Sequence, residues 1–83
     1  MQIRYFAWVR EKVGLEEETL DLPGNIATVA DLIAYLKTID DNHAAAFEEE
    51  DAIRVAVDQM HVEADAELGA AREVAFFPPM TGG

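Results

Sequence analysis

The end of the chain carries one group that could do chemistry, the α-carboxylate of Gly83. Gly82 precedes it, and two residues without Cβ atoms can enter a channel too narrow for any other side chain. Pro78 and Pro79 stiffen the segment before them, because proline fixes its backbone φ angle. The six residues after Phe77 reach roughly 20 Å when extended. Since a carboxylate can be adenylated by ATP and then accept sulfur or an amine, we interpret this tail as a carried reactive group rather than as disordered filler.

The familiar catalytic constellations are missing from the rest of the sequence. The chain contains no cysteine and no serine, which excludes disulfides, thiolate zinc sites, cysteine nucleophiles and serine–histidine pairs. No glycine-rich phosphate loop follows a predicted strand. His61, Glu63 and Asp65 alternate and could hold a metal weakly from one face of an extended segment, although a solvated edge is the favoured interpretation. We therefore expect no bound cofactor and no resident metal.

The charge balance restricts the partners. Seventeen acidic residues against six basic ones give a net charge of −11 over 83 residues. Nucleic acids and anionic membranes select the opposite balance, so a protein with a basic surface is the better partner. The acidic runs at 16–18 and 48–51 are interpreted as solvated surface. Without a membrane-length apolar run or a signal-peptide pattern at the start, we expect a cytoplasmic chain with one folded domain at 1–77 and a tail at 78–83.

Alternation predicts a first strand over 3–9. Ile3, Tyr5, Ala7 and Val9 would face the core, whereas Arg4, Phe6, Trp8 and Arg10 would face away from it. We expect a turn at 11–14 with Gly14 at a positive φ angle, and a second strand over 18–22 with Leu20 and Leu22 directed inward.

The clearest predicted helix begins at Thr28, where Thr28 and Asp31 form a capping-box pattern. Its apolar stripe has helical spacing and consists of Val29, Leu32, Ile33 and Leu36. Residues 40–42 interrupt the pattern, and a short second helix is predicted over 44–49 with Phe47 as its large apolar anchor.

Three more strands complete the prediction, over 53–57, at Met60 and Val62, and over 73–77. Asp58 and Gln59 form a tight turn between the first two of these strands, and Leu68 fills the core from an irregular segment that turns at Gly69. The order is β-β-α-(α)-β-β-β, in which the first and last strands can pair centrally. This is an α+β arrangement of the β-grasp, or ubiquitin-like, type: a mixed sheet of about five strands with one main helix packed on one face.

The sequence resembles a known family along its whole length. Residues 72–83 read REVAFFPPMTGG and closely resemble the C-terminus of the small subunit of molybdopterin synthase, which ends in a VAFFPPxxGG pattern. Residues 6–11, 28–32 and 55–59 resemble the first strand, the helix start and the third strand of that family. Two departures concern turns: Asp58 stands where asparagine is common, and 69–73 lacks the usual acidic turn.

The resemblance implies a sulfur carrier of molybdenum cofactor biosynthesis. In this family an E1-like enzyme adenylates the terminal glycine, here Gly83, which then becomes a thiocarboxylate. The large synthase subunit holds the catalytic pocket, where two sulfur transfers convert cyclic pyranopterin monophosphate to molybdopterin. The small subunit is thus a sulfur-donating partner without a catalytic pocket, and a heterotetramer with two carriers is expected.

An exposed aromatic patch is expected at the root of the tail, where it would dock on a partner. It follows from the predicted strand faces and consists of Phe6, Trp8, His61 and Phe77. The family's tail insertion adds the partner-binding residues Pro78, Pro79, Met80 and Thr81.

Three alternative functions remain open at this point. They are the related thiamine-pathway sulfur carrier, a ubiquitin-like modifier joined to lysines, and a plain interaction domain with an incidental tail.

Overall fold

The computed structural model describes residues 1–79. Five strands are present: β1 (Gln2–Tyr5), β2 (Glu17–Thr19), β3 (Arg54–Val57), β4 (Met60–Val62) and β5 (Glu73–Phe77). Three α-helices accompany them: α1 (Ala7–Val13), α2 (Val29–Leu36) and α3 (Asp41–Ala46), followed by a 3-10 turn at Glu50–Ala52.

The strands form one mixed sheet in the order β2-β1-β5-β3-β4. The predicted central pairing is confirmed, because β1 lies parallel to β5 and every other neighbouring pair is antiparallel. The helices and one face of the sheet enclose a core whose largest fully buried side chains include Tyr5, Phe47 and Phe76. We call the opposite face of the strands the outer face. By register and alternation it carries Gln2, Arg4, Glu17, Thr19, Arg54, Ala56, His61, Glu73, Ala75 and Phe77.

The first strand is shorter than predicted, and a helix replaces its second half. β1 ends at Tyr5, Phe6 is the extended N-cap residue, and α1 ends at Gly14, whose φ of 88° confirms the predicted turn. Val9 and Val13 are buried at helical i, i+4 spacing, while Ala7, expected in the core, is exposed. The alternation at 3–9 was misleading because Val9 satisfies both a strand and a helix period.

The second strand is also displaced, since β2 ends at Thr19. Leu20 and Leu22 lie beyond it but still pack against the core, as expected. Glu18 is half-buried and hydrogen-bonded to the Tyr5 hydroxyl, a contact that the apolar pattern does not indicate.

The main helix agrees with the prediction. The Thr28 hydroxyl accepts from the Asp31 amide at 3.2 Å, and the Asp31 carboxylate accepts from the Thr28 amide at 3.1 Å, which completes the capping box. All four residues of the predicted apolar stripe are buried. The next helix, α3, begins three residues earlier than predicted because Asp40 caps it by accepting from the His43 amide at 2.8 Å. Phe47 is completely buried, as expected of its anchor.

The turn between β3 and β4 has the geometry of a two-residue hairpin loop. Asp58 and Gln59 have φ angles of 48° and 71°, as a type I′ turn requires. The Asp58 side chain accepts from the amides of Arg72 and Glu73 at 2.9 and 3.0 Å, which fastens this turn to the start of β5. Leu68 is buried and Gly69 has a φ of 51°, both as predicted.

Within the described part of the chain, none of the helices has the length and apolar character needed to cross a membrane.

Candidate functional site

The tail leaves the sheet from its central strand. β5 pairs with β1 on one side up to Phe76 and with β3 on the other side up to Phe77, so both edges of its backbone are held almost to its end. Pro78 is half-buried and Pro79 is exposed, which directs the chain out of the domain at this point. The predicted site residues Met80, Thr81, Gly82 and Gly83 lie outside the described residues.

Two predicted patch residues meet on the outer face. The ring centroids of His61 on β4 and Phe77 on β5 lie 5.2 Å apart, although β3 runs between these two strands. Phe6 is near the same strand end, because its amide donates to the Phe76 carbonyl at 3.0 Å. The Phe6 ring is 38% exposed and lies 5.3 Å from the Arg4 guanidinium carbon. His61 and Phe77 are thus in ring contact, and Phe6 lies beside the strand end that leads to the tail.

Trp8 occupies a different position from the one predicted. It lies on α1, is half-buried and packs partly against the core, and the Lys12 ammonium lies 5.4 Å from its ring centroid. The strand alternation that placed Trp8 beside Phe6 ends at Tyr5, and the helix turns Trp8 toward the protein. We name the remaining set, Phe6, His61 and Phe77, the outer aromatic cluster.

The charged residues near this cluster are few. Arg4 forms ion pairs with Glu17 at 3.6 Å and Glu73 at 3.8 Å, both on neighbouring strands. Arg54 on β3 is exposed and lies directly opposite Phe77 in the β3–β5 register. The acidic runs at 16–18 and 48–51 contribute only Glu17 to the outer face. The site is thus an apolar surface with arginines at its border, on a strongly acidic protein.

The alternating group of His61, Glu63 and Asp65 does not assemble into a cluster. β4 ends at Val62, so the strand alternation that would align the three side chains stops before Glu63. Across residues 1–79, no three histidine or acidic side chains come together as ligands for a metal ion.

A buried polar network was missed by sequence reasoning. The His43 ring is 2% exposed, and its two nitrogens lie 2.7 Å from carboxylate oxygens of Glu18 and Asp40. The Tyr5 hydroxyl donates to the same Glu18 oxygen at 2.6 Å. Because both ring nitrogens face acceptors, the geometry favours the doubly protonated imidazolium. The available signal was Asp40 three residues before His43, the spacing of an N-cap pair.

The titration behaviour follows from this geometry. Burial lowers the pKa of His43, but the hydrogen bonds to Glu18 and Asp40 and the charges of these carboxylates outweigh it and raise the pKa above its usual value. The His43 amide, followed by the His43 ring, lowers the pKa of Asp40. Burial and the Glu18 carboxylate raise the pKa of Tyr5 strongly. When His43 is protonated, its positive charge therefore lies between the carboxylates of Glu18 and Asp40.

The chain is similar to several known proteins. It is 36% identical to the molybdopterin synthase sulfur carrier subunit of Escherichia coli, over all of this chain and 99% of the relative. A solved structure from Pyrococcus furiosus, described as molybdopterin converting factor subunit 1, matches with a TM-score of 0.74 and 34% identity over 95% of each chain. Small archaeal modifier protein 1 of Haloferax volcanii matches with a TM-score of 0.72 and 26% identity, over 96% of this chain and 97% of that one.

These likenesses confirm the β-grasp fold and the resemblance to the small subunit of molybdopterin synthase. The model of the ThiS family matches residues 3–83, which is nearly the whole chain. The chain therefore belongs to the ThiS family.

Proposed function

We propose that this protein is the sulfur carrier of a molybdopterin synthase and that the Gly83 carboxylate is its working group. The observation that carries the proposal is the placement of a Gly-Gly tail directly after a doubly paired central strand. The full-length similarity to a sulfur carrier subunit of this synthase supports the same conclusion. The folded domain presents the tail and recognises partners, while catalysis belongs to them.

The chemistry proceeds in two stages. In the first, an E1-like enzyme uses ATP: a Gly83 carboxylate oxygen attacks the α-phosphorus and pyrophosphate leaves. A sulfide-level sulfur nucleophile then displaces AMP, which leaves a Gly83 thiocarboxylate. In the second, the thiocarboxylate sulfur attacks a side-chain carbon of cyclic pyranopterin monophosphate and displaces an oxygen substituent from it. Water then cleaves the resulting thioester, which leaves the sulfur on the pterin and returns the Gly83 carboxylate. Two carriers supply the two sulfurs of molybdopterin.

The large synthase subunit is the proposed docking partner, in a cytoplasmic heterotetramer with two carriers. The outer aromatic cluster supports this because it lies beside the strand end from which the tail departs. Docking there would fix the distance between the domain and the tip of the tail. Pro78, Pro79, Met80 and Thr81 would then line the partner's channel, with Gly82 and Gly83 at its narrow end. The chain itself holds no cofactor in this scheme.

A reconstitution with the large subunit and the pterin precursor tests the proposal. The thiocarboxylated chain should yield molybdopterin, and its intact mass should show sulfur in place of one oxygen at the C-terminus. Deleting Gly83 should abolish product, as should adding one alanine after it, because both displace the reactive carbon. Unchanged circular dichroism of both variants would show that the domain is intact. Product formation by the chain lacking Gly83 would refute the mechanism.

A second function is favoured by the likeness to small archaeal modifier protein 1. The same activated Gly83 could acylate a lysine amine instead of accepting sulfur. The two functions share the first step and differ in the acceptor. Lysine-linked conjugates of this chain in its own cells, together with no molybdopterin in the reconstitution, would favour the modifier.

A further inference from the structure

Arg54 occupies a distinctive place on the outer face. It begins β3 and lies directly across from Phe77, the last residue of β5 before the tail. Cross-strand neighbours in an antiparallel pair have Cβ atoms about 5 Å apart on the same face. Arg54 therefore borders the outer aromatic cluster on the side where the tail departs.

The guanidinium of Arg54 has unused hydrogen-bonding capacity within residues 1–79. One of its nitrogens donates to the Asp51 carbonyl at 3.1 Å, and no carboxylate lies within ion-pair distance. This contrasts with Arg4, which is held by two glutamates on the same face. The carboxylate of nearby Glu50 pairs with Lys37 at 3.3 Å and not with Arg54. Arg54 thus retains donors that the described part of its own domain does not use.

The local charge differs from the charge of the whole protein. The strands place four charged residues on the outer face, and their charges sum to zero: Arg4, Arg54, Glu17 and Glu73. The net charge of −11 therefore resides elsewhere on the protein. Both glutamates pair with Arg4, so the positive charge on this face that has no acidic partner among the four is that of Arg54, beside Phe77.

We propose that Arg54 is a specificity-determining contact that binds a carboxylate of the large synthase subunit beside the entrance for the tail. The assignment rests on the proposed function. A guanidinium suits this role because its planar fork can bind a carboxylate through two parallel hydrogen bonds. Aromatic neighbours exclude water on docking and thereby strengthen the pair. A partner carboxylate would be repelled by most of this acidic surface, so its attraction to Arg54 fixes the docking position.

A pair of variants can distinguish a specific Arg54 contact from long-range electrostatic steering of the association. Arg54→Glu and Arg72→Glu change the net charge equally, and both sites are exposed, but Arg72 precedes β5 at the end opposite Phe77. Steering acts on the association rate and would change it similarly for both variants. A specific contact acts on dissociation. Surface plasmon resonance on the immobilised large subunit measures both rates for the wild type, the two glutamate variants and Arg54→Lys.

The expected result is that Arg54→Glu dissociates about 10-fold faster or more, whereas Arg72→Glu dissociates at the wild-type rate. Arg54→Lys should fall between them, because lysine keeps the charge and loses the fork. Equal dissociation rates for both glutamate variants would overturn the Arg54 contact and leave the sulfur-carrier function standing. If the wild-type chain does not bind the large subunit, the proposed function fails and the Arg54 contact fails with it.

Discussion

At the scale of single residues, His43 joins three elements through charged hydrogen bonds. Its ring connects Glu18 on β2 to Asp40 before α3, and the Tyr5 hydroxyl of β1 closes the network. The Tyr5 ring also contacts the His43 ring edge-to-face at 6.0 Å and stacks on Phe76 at 6.3 Å. The His43 ring therefore belongs to the same buried packing as the Phe76 ring on the central strand.

This network predicts how stability depends on pH. The pKa of His43 is raised on folding, so its contribution is complete below the usual value of 6.5 and is lost as pH rises through the folded pKa. The pKa of Asp40 is lowered on folding, so its contribution is present above 3.8 and is lost as pH falls through the folded pKa. Thermal unfolding should therefore show a decline in midpoint temperature as pH rises above 6.5, which we call the alkaline decline.

His43→Gln tests the assignment, since glutamine keeps a polar side chain that does not titrate. It should lower the free energy of unfolding by about 2 kcal/mol at pH 6 and remove most of the alkaline decline. His61→Gln is the matched control, because His61 is exposed on the outer face. An alkaline decline that persists in His43→Gln and vanishes in His61→Gln would show that the network is not its source.

At the scale of elements, the turn between β3 and β4 positions the start of β5. The Asp58 amide donates to the Glu73 carbonyl while its carboxylate accepts from two amides of the same segment. This is where the chain departs from the asparagine common in its family. One side-chain oxygen, Oδ1, accepts both amide hydrogen bonds, so an asparagine could do the same through its carbonyl oxygen.

Two substitutions at this turn should differ in their effects. Asp58→Asn retains an acceptor oxygen and tolerates positive φ, so it should change the free energy of unfolding by less than about 1 kcal/mol. Asp58→Ala loses both acceptor contacts and should cost about 2 kcal/mol. Urea unfolding measures both values. Equal losses would mean that the carboxylate charge, which both variants lack, matters at this position rather than the acceptor oxygen.

The elements also show what the sequence could predict. The helix with a capping box and four apolar residues on one stripe was predicted correctly, as was the tight turn at Asp58. The prediction that the first and last strands of the chain pair in the centre of the sheet was also correct. The capping box and the turn depend on local chemistry, and the apolar stripe has a period that only a helix satisfies. The strand pairing was inferred from the order of the elements. In contrast, α1 was missed because its residues fit two periods, and tertiary packing decided between them.

The site was predicted unevenly for the same reason. Phe77 and His61 lie on true strands, so alternation gave their face correctly, whereas Trp8 followed a strand that had already ended. In the buried His43 network, only Asp40 and His43 have a spacing that the sequence could signal; Glu18 lies far from His43 in the chain, and no pattern in a single sequence indicates that contact. The chemistry of the tail stays a prediction from residue types alone, because Met80, Thr81, Gly82 and Gly83 lie outside the described residues.

At the scale of the whole molecule, the net charge of −11 is confined to a small body. The Cα radius of gyration is 11.7 Å, close to the screening length of about 10 Å at 0.1 M salt. Most charges therefore repel one another at low ionic strength. The ion pairs between acidic side chains and Arg4 or Lys37 are solvent-accessible and offset little of this repulsion.

Added salt should therefore stabilise the fold. We expect the midpoint of thermal unfolding at pH 7 to rise as potassium chloride screens the repulsion, and to level off once the screening length falls well below the molecular radius. Near the isoelectric point of about 4.2 the net charge vanishes, and the same salt series should have little effect. A rise of equal size at both pH values would indicate that salt acts through apolar burial instead.

The position of β5 has a mechanical consequence. A force that withdraws the tail from a channel acts on Phe77 along the strand axis. Because ladder hydrogen bonds run across that axis, the pull loads the contacts with β1 and β3 in shear, and many bonds resist together. A tail attached to an edge strand would be held by one hydrogen-bond ladder instead of two. In the proposed delivery cycle, the two ladders would let the domain leave its partner with its fold intact.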